Sequence, residues 1–360
     1  MVDDSHILLG RKSDLWEMLS KNKEISDDFL DPRKGTTWGF GGKPPSSEEE
    51  YAQRFRDWVE RYKGRVSPED LCNYPEPNVG SPCILEYEKY RASVLYIKNF
   101  ALAKFITSLI PIRNPKILEI GAGYGGMAEV LMRLRPIASY SVVDLPEVLP
   151  LSKYYLTQTH PDQKLHFFEP DSLQDEQYDI VINTLSFGEM PEETAKAYID
   201  WTMRHSKYLI SINSVKRTPQ GVKKYSDYGF HKYTIEKILP QPDISGAFNA
   251  QHLVLLVKPG PANISAAELN RMQTLMDLGL QEDVSDNNEE AIKAMYLSFT
   301  RPFFRKKYLK KYLKVGKSIL GRAYATMLLG KPVEAPGYLQ RELEAVGKDA
   351  LLAFLKQRMQ

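Results

Sequence analysis

The stretch from Lys116 to Leu145 constrains the fold of this chain more than any other. An apolar run carrying Glu119 turns through Gly121-Ala122-Gly123-Tyr124-Gly125-Gly126 into an amphipathic helical pattern, and a second apolar run stops at Asp144. Strand, glycine turn, helix and acid-ended strand make the first half of a nucleotide-cofactor site. Ligand chemistry therefore belongs at the carboxyl edge of a parallel sheet.

The turn satisfies two patterns. Gly121, Gly123 and Gly126 read as G-x-G-x-x-G, a dinucleotide site, whereas Glu119, Gly121, Gly123 and Gly125 read as E-x-G-x-G-x-G, an S-adenosylmethionine site. Both need glycine because the backbone turns sharply and approaches the ligand with no Cβ in the way. Asp144, placed to hold two ribose hydroxyls, serves either. Glu119 favours the second reading, because a carboxylate at the strand tip suits a cationic sulfonium cofactor and repels a pyrophosphate. The sheet favours it too: the pattern predicts a closing antiparallel hairpin where a dinucleotide fold continues with parallel units. S-adenosylmethionine is the expected cofactor. On the same edge, Leu145 is expected against the adenine face and Asp171 and Ser172 at the adenine edge. Asn183 is expected beneath the methionine moiety. No pair of acids or histidines stands out as metal ligands.

The spacing predicts strands at Lys116–Ile120, Tyr140–Asp144, Leu165–Phe168, Asp179–Asn183 and Tyr208–Asn213, with a helix over Pro191–His205. Short apolar strands alternating with helices mean a mostly parallel sheet covered on both faces. Beyond the fifth strand the pattern predicts a polar loop, a short helix, then antiparallel strands near Gly246–Asn249 and His252–Lys258. Upstream, apolar spacing reads as helix from Glu86 to Ile110, and Ser46-Ser47-Glu48-Glu49-Glu50 reads as a helix start. Three regions follow: a helical N-terminal region over 1–110, a cofactor domain over 111–260 and a helical C-terminal region over 261–360.

A net charge of +2 gives no argument for a nucleic-acid partner. The opening residues lack the apolar segment of a signal peptide, and no apolar run approaches the roughly 20 residues of a membrane span. Two cysteines, Cys72 and Cys83, make no disulfide framework, so a reducing cytoplasm is expected.

The runs EIGAGYGGMAEVL, YSVVDLPEVLPLSKYYL and DIVINTLSFGEM, in this order, resemble the sugar O-methyltransferase family of class I methyltransferases. The similar part covers roughly residues 85 to 260. The resemblance implies a Rossmann-like sheet, S-adenosylmethionine as cofactor and a sugar or glycan hydroxyl as acceptor. A methyltransferase acting on a non-sugar small molecule is the alternative, and a nicotinamide-dependent oxidoreductase is a rival of another class. The chain departs from the family at Leu185 and Gly188, where similar proteins often carry an aromatic and a serine.

A sugar hydroxyl does not ionise at neutral pH, so such a transfer needs a general base. The base must come from loops after the fourth and fifth strands, or from a lid. Glu189 is the first candidate, although an acid also suits the start of the helix that Pro191 opens. His231 is the second. Trp38, Tyr74, Tyr87, Tyr90 and Tyr96 offer either a stacking wall for sugar rings or packing for the N-terminal helices. The glycines of residues 35–42 make the loop around Trp38 a candidate lid.

From Ala291 to Val333 there is no acid. On a helical wheel over Arg301–Tyr324, Tyr308, Leu309, Tyr312, Leu313 and others share one side, and Lys306, Lys307, Lys310, Lys311, Lys314 and Lys317 take the other. Such a helix either packs on its own domain or a second subunit, or lies on a membrane surface beside lipid-linked glycan.

Overall fold

The computed structural model describes residues 9, 11–12, 28–31, 47–214, 221–241, 252–267, 269–270, 305–315 and 325. Helix α1 (Glu48–Tyr62) starts where the sequence predicts: the Ser47 hydroxyl accepts the Glu50 N–H at 3.1 Å, and three acids fill the first turn. A reciprocal Ser67–Asp70 cap opens α2 (Pro68–Asn73). The helix expected from Glu86 is corrected at its start. Leu85–Tyr87 (β1) and Tyr90–Ala92 (β2) pair as an antiparallel hairpin. Burial there alternates residue by residue, Tyr90 and Ala92 in and Arg91 out, which is a strand period. The helix proper, α3 (Val94–Leu109), begins at an N-cap, Ser93.

The alternating core follows as expected, with small shifts at its ends: β3 (Lys116–Ile120), α4 (Gly126–Leu134), β4 (Ser139–Val143), α5 (Leu149–Thr159), β5 (Leu165–Phe168), β6 (Tyr178–Thr184), α6 (Glu192–His205) and β7 (Ser206–Asn213). The end of the sheet needs a second correction. Two antiparallel strands close it, but they are β8 (Thr234–Gln241) and β9 (His252–Lys258). Residues 246–249 lie outside the described residues. Glu236, Lys237 and Pro240 disguise β8 as a loop. Among the described residues it is an edge strand paired on one side only, and edges tolerate charge and proline.

The seven strands run in the order β5-β4-β3-β6-β7-β9-β8. They are parallel through β7, and β9 lies antiparallel to both of its neighbours. Because β4 and β6 flank β3, the chain reverses direction across the sheet there, and the strand ends open a crevice. Alternate residues feed two cores. Ile117, Tyr140, Val142 and Ile182 face α3, α4 and α5, and Leu118, Ile120, Val143 and Val181 face α6. The first core also takes in Tyr51, Phe55, Val59 and Tyr62 of α1, so the N-terminal helices and the sheet share one interior.

The tyrosines offered as a stacking wall pack instead. Tyr96 is fully buried and donates to the Tyr74 carbonyl at 2.8 Å, and Tyr74 leans on Phe100. Trp38 and its loop lie outside the described residues. No disulfide joins Cys72 and Cys83. Of the basic segment, α7 (Arg305–Val315) is described; it buries Leu309 and Tyr312 and exposes Lys306, Lys307, Lys310, Lys311 and Lys314. Over these turns the apolar side is used for packing within the chain. Among the described residues no helix is long and apolar enough to cross a membrane.

Ser93 ties the N-terminal layer to the sheet domain. Its hydroxyl accepts the Tyr96 N–H at 3.1 Å, and its own hydroxyl and N–H donate to the Glu76 carboxylate at 2.7 and 2.6 Å. Ser93→Ala is expected to lower unfolding stability by about 1–2 kcal/mol, the usual value of an N-cap. A urea melt with an unshifted midpoint would contradict this.

Candidate active site

The crevice is a cavity of about 330 Å³ over the carboxyl ends of β3, β4 and β6. Its floor is the glycine turn. Gly121, Gly123 and Gly125 have φ of 74°, 60° and 89°, a region that L side chains rarely adopt. A Cβ on Gly121 would also lie 2.3 Å from Ser186 Oγ. Gly126 is different: it opens α4, and a Cβ there would strike the Tyr124 hydroxyl and Asn99. The three left-handed glycines are therefore those of E-x-G-x-G-x-G, while Gly126 serves helix packing.

The turn is clasped to β4. Gly121 N–H donates to the Val143 carbonyl at 2.8 Å, and Gly123 N–H donates to Asp144 Oδ2 at 2.9 Å. Leu145 N–H reaches Asp144 Oδ1 at 2.8 Å. Each Asp144 oxygen keeps a lone pair for a further donor. Although Asp144 opens on the cavity, it is ringed by protein; burial pushes its carboxyl up to about 7 against those two bonds, helped by the charges of Glu189 and Glu147. Glu119 is buried at the tip of β3 and accepts the Tyr140 hydroxyl at 2.8 Å. Burial pushes it up to about 8 despite that bond.

Of the residues expected at the cofactor, the cavity brings together Glu119, Gly121, Gly123, Asp144 and Leu145. Gly125 backs onto Leu156 instead. Asp171 and Ser172 are exposed in a short turn whose Pro170 alone reaches the wall, and the Ser172 N–H and hydroxyl are both spent on the Glu169 carbonyl. Asn183 is fully buried behind the wall. Its Nδ2 donates to the Ile120 carbonyl at 2.8 Å and to Ser186, and its Oδ1 accepts from Asn213 at 2.8 Å and from the Phe187 N–H at 3.3 Å. Asn183 shapes the loop after β6 rather than meeting a ligand.

That loop carries Glu189 to the cavity wall. Leu185 takes a φ of 67° there, and Gly188 is needed because a Cβ would lie 2.8 Å from the Ser214 carbonyl. His231 stands apart, half-buried in the turn after β7. Its Nδ1 has no hydrogen-bond partner among the described residues, and it is not among the residues that wall the cavity.

Sequence reasoning missed the walls that come from helices. Leu95, Lys98, Asn99 and Leu102 of α3 face the cavity at helical spacing, and Asn99 donates to the Tyr124 hydroxyl at 2.7 Å. Thr194 and Tyr198 of α6 form the opposite wall. Leu9, Arg11 and Lys12 cross the rim; Arg11 pairs with Glu193 at 2.6 Å and Lys12 with Glu147. The spacing of α3 was the one available signal.

The chain has the class I methyltransferase fold. The strand order with β9 antiparallel between β7 and β8 decides it, and the dinucleotide reading loses its sheet. No protein-family model matches the chain, and no curated protein matches it either. Among solved structures, magnesium protoporphyrin IX methyltransferase (ChlM) from Synechocystis PCC 6803 with bound SAM is 14% identical, with a TM-score of 0.37 over 66% of this chain and 100% of that one. The pyocyanin biosynthetic protein PhzM is 12% identical, with a TM-score of 0.38 over 60% and 74% of the two chains. The glycopeptide N-methyltransferase MtfA is 10% identical, with a TM-score of 0.37 over 45% and 90%. These likenesses carry no argument about activity; the fold rests on strand order.

The residues present fit S-adenosylmethionine. Gly121 and Gly123 line the cavity with left-handed backbone, Asp144 offers two acceptors to a ribose, and Glu119 brings a carboxyl to the same cavity. The raised carboxyls also set a pH dependence. In the unfolded chain Glu119 and Asp144 lose their protons near 4.5 and 3.8, whereas in the fold they hold them to about 8 and 7. Stability of the ligand-free protein is therefore expected to fall as pH rises from about 5 to 8. Glu119→Gln should flatten that slope in thermal melts, and an equal slope in both proteins would contradict the assignment.

Proposed function

We propose that this protein is an S-adenosylmethionine-dependent methyltransferase acting on a small-molecule acceptor. The observation that carries the reading is the clasp of the left-handed glycine turn onto Asp144 at the switch point of the sheet. When bound, the cofactor supplies an electrophilic methyl group on a sulfonium, which transfers by in-line displacement. Asp144 holds the ribose, and the cationic end of the cofactor would favour the ionised form of Glu119. Glu189, on the loop after β6, takes the proton of the acceptor hydroxyl as the new O–C bond forms. His231 has no role in this reading.

Leu95, Leu102, Met127, Leu185 and Met190 make the cavity wall mostly apolar beyond the glycine turn. Such a wall suits a flat or apolar natural product, since a sugar ring needs many paired polar groups. The narrower reading, a sugar or glycan hydroxyl, is supported by the order of the three sequence runs. The lysine side of α7 gives a lipid-linked acceptor at an anionic membrane surface a place to dock within that narrower reading.

The test is release of S-adenosylhomocysteine from S-adenosylmethionine with pooled phenolic natural products, soluble glycosides and membrane-extracted glycans. Turnover with one pool is expected, and Glu189→Ala should slow it at least about a hundredfold with cofactor affinity unchanged. An unaltered rate would remove Glu189 as the base.

A further inference from the structure

The carboxyl at the tip of β3 is held by one bond from a residue outside the cavity wall. Tyr140 is fully buried, and its hydroxyl donates to Glu119 Oε2 at 2.8 Å. Strand register explains the reach. Ile117 pairs with Tyr140 and Glu119 with Val142, so Tyr140 lies one pair behind Glu119 on the same face of the sheet. The length of its ring carries the hydroxyl forward to the carboxyl. The second oxygen, Glu119 Oε1, takes no hydrogen bond among the described residues. It is not one of the oxygens closed off inside the protein, and Glu119 lines the cavity.

Packing alone does not call for this pair. A buried phenol and carboxyl both give up water, and two apolar side chains of the same shape would fill the space at little cost. What the pair supplies is direction: Tyr140 occupies Oε2 and leaves Oε1 for a donor in the cavity. Around that cavity stand Lys98 of α3, Tyr124 of the glycine turn, Asp144, Glu189 and Tyr198 of α6. On β6 the register partner of Glu119 is the apolar Ile182. Burial raises the Glu119 carboxyl to about 8, the Tyr140 bond works against that rise, and the Asp144 charge adds to it. Without a ligand Glu119 therefore keeps its proton at neutral pH, and a cation brought to Oε1 favours the ionised form.

We propose that Tyr140 is a positioning residue for the cofactor: its hydroxyl holds Glu119 so that Oε1 takes the ammonium of the amino-acid end, and Glu119 gives its proton to solvent as the ligand binds. The inference rests on the cofactor reading above and adds to it a residue that touches no ligand. It also explains why β4 keeps a buried phenol where phenylalanine would pack as well.

The test is calorimetric titration of the whole protein with S-adenosylhomocysteine and with 5′-methylthioadenosine, which keeps purine and ribose but has no ammonium. Asp144 serves the ribose of both, so the ratio of the two affinities isolates Glu119. Tyr140→Phe keeps the ring and removes the hydroxyl. At neutral pH it is expected to weaken S-adenosylhomocysteine about tenfold, the value of one hydrogen bond to a charged group, and methylthioadenosine by less than about twofold. In the unaltered protein the affinity ratio should climb with pH and level off at about 8. In Tyr140→Phe it should level off higher, because the ionised carboxyl has lost its donor. Equal weakening of both ligands, or no weakening of either, would overturn the proposal. If Tyr140→Phe does not fold, the unaltered protein decides. Titrations in two buffers of different ionisation enthalpy should show S-adenosylhomocysteine expelling more protons than methylthioadenosine, and equal release would overturn the proposal. If the unaltered protein binds neither ligand, the cofactor reading itself fails and this inference falls with it, a result distinct from the others.

Discussion

The join between the ends of β3 and β4 holds the functional edge together. One backbone bond, Gly121 N–H to the Val143 carbonyl, fixes where β3 stops pairing and starts to turn. Asp144 then receives the Gly123 N–H, so the carboxylate that would hold a ribose also sets the conformation of the turn. Binding group and scaffold are one unit. This arrangement pre-orders the site, because an acid already fixed by backbone donors loses little freedom when a ligand arrives.

The next layer supports that clasp. Asn183 ties the end of β6 to the end of β3, to the loop carrying Glu189 and to Asn213 on β7. Gly188 lets the same loop lie against the Ser214 carbonyl, and the Tyr228 hydroxyl donates to that carbonyl at 2.6 Å. A chain of buried amides and carbonyls thus links three strand ends. The two positions at which the sequence departs from the family pattern it resembles, Leu185 and Gly188, both lie in this loop. Both are explained by backbone: a left-handed residue at one and a missing Cβ at the other.

Much of this edge was legible from sequence because it is local. The glycine spacing, Glu119 and Asp144 follow from the conformation each turn demands, and the strands follow from apolar runs with period two or full burial. What was not legible depends on neighbours. Asn183 and Asp171 sit at strand ends, where a polar side chain turns toward a ligand or toward the protein; only packing decides which. The faces of α3 and α6 that meet the cavity are set by helix docking, so Asn99, Thr194 and Tyr198 carried no signal of their own. The strand β8 was hidden by Glu236, Lys237 and Pro240, residues that an edge tolerates, and β8 is the edge of the sheet among the described residues.

The central claim is that the turn and Asp144 form an adenosyl site rather than a dinucleotide site. Titration of the protein with S-adenosylhomocysteine and, separately, with NAD tests it most directly, in the unaltered chain and in Asp144→Ala. The account predicts binding of S-adenosylhomocysteine, no saturable binding of NAD, and loss of about a hundredfold in affinity on removing the two acceptors of Asp144. Saturable NAD binding, or S-adenosylhomocysteine affinity indifferent to Asp144, would contradict it.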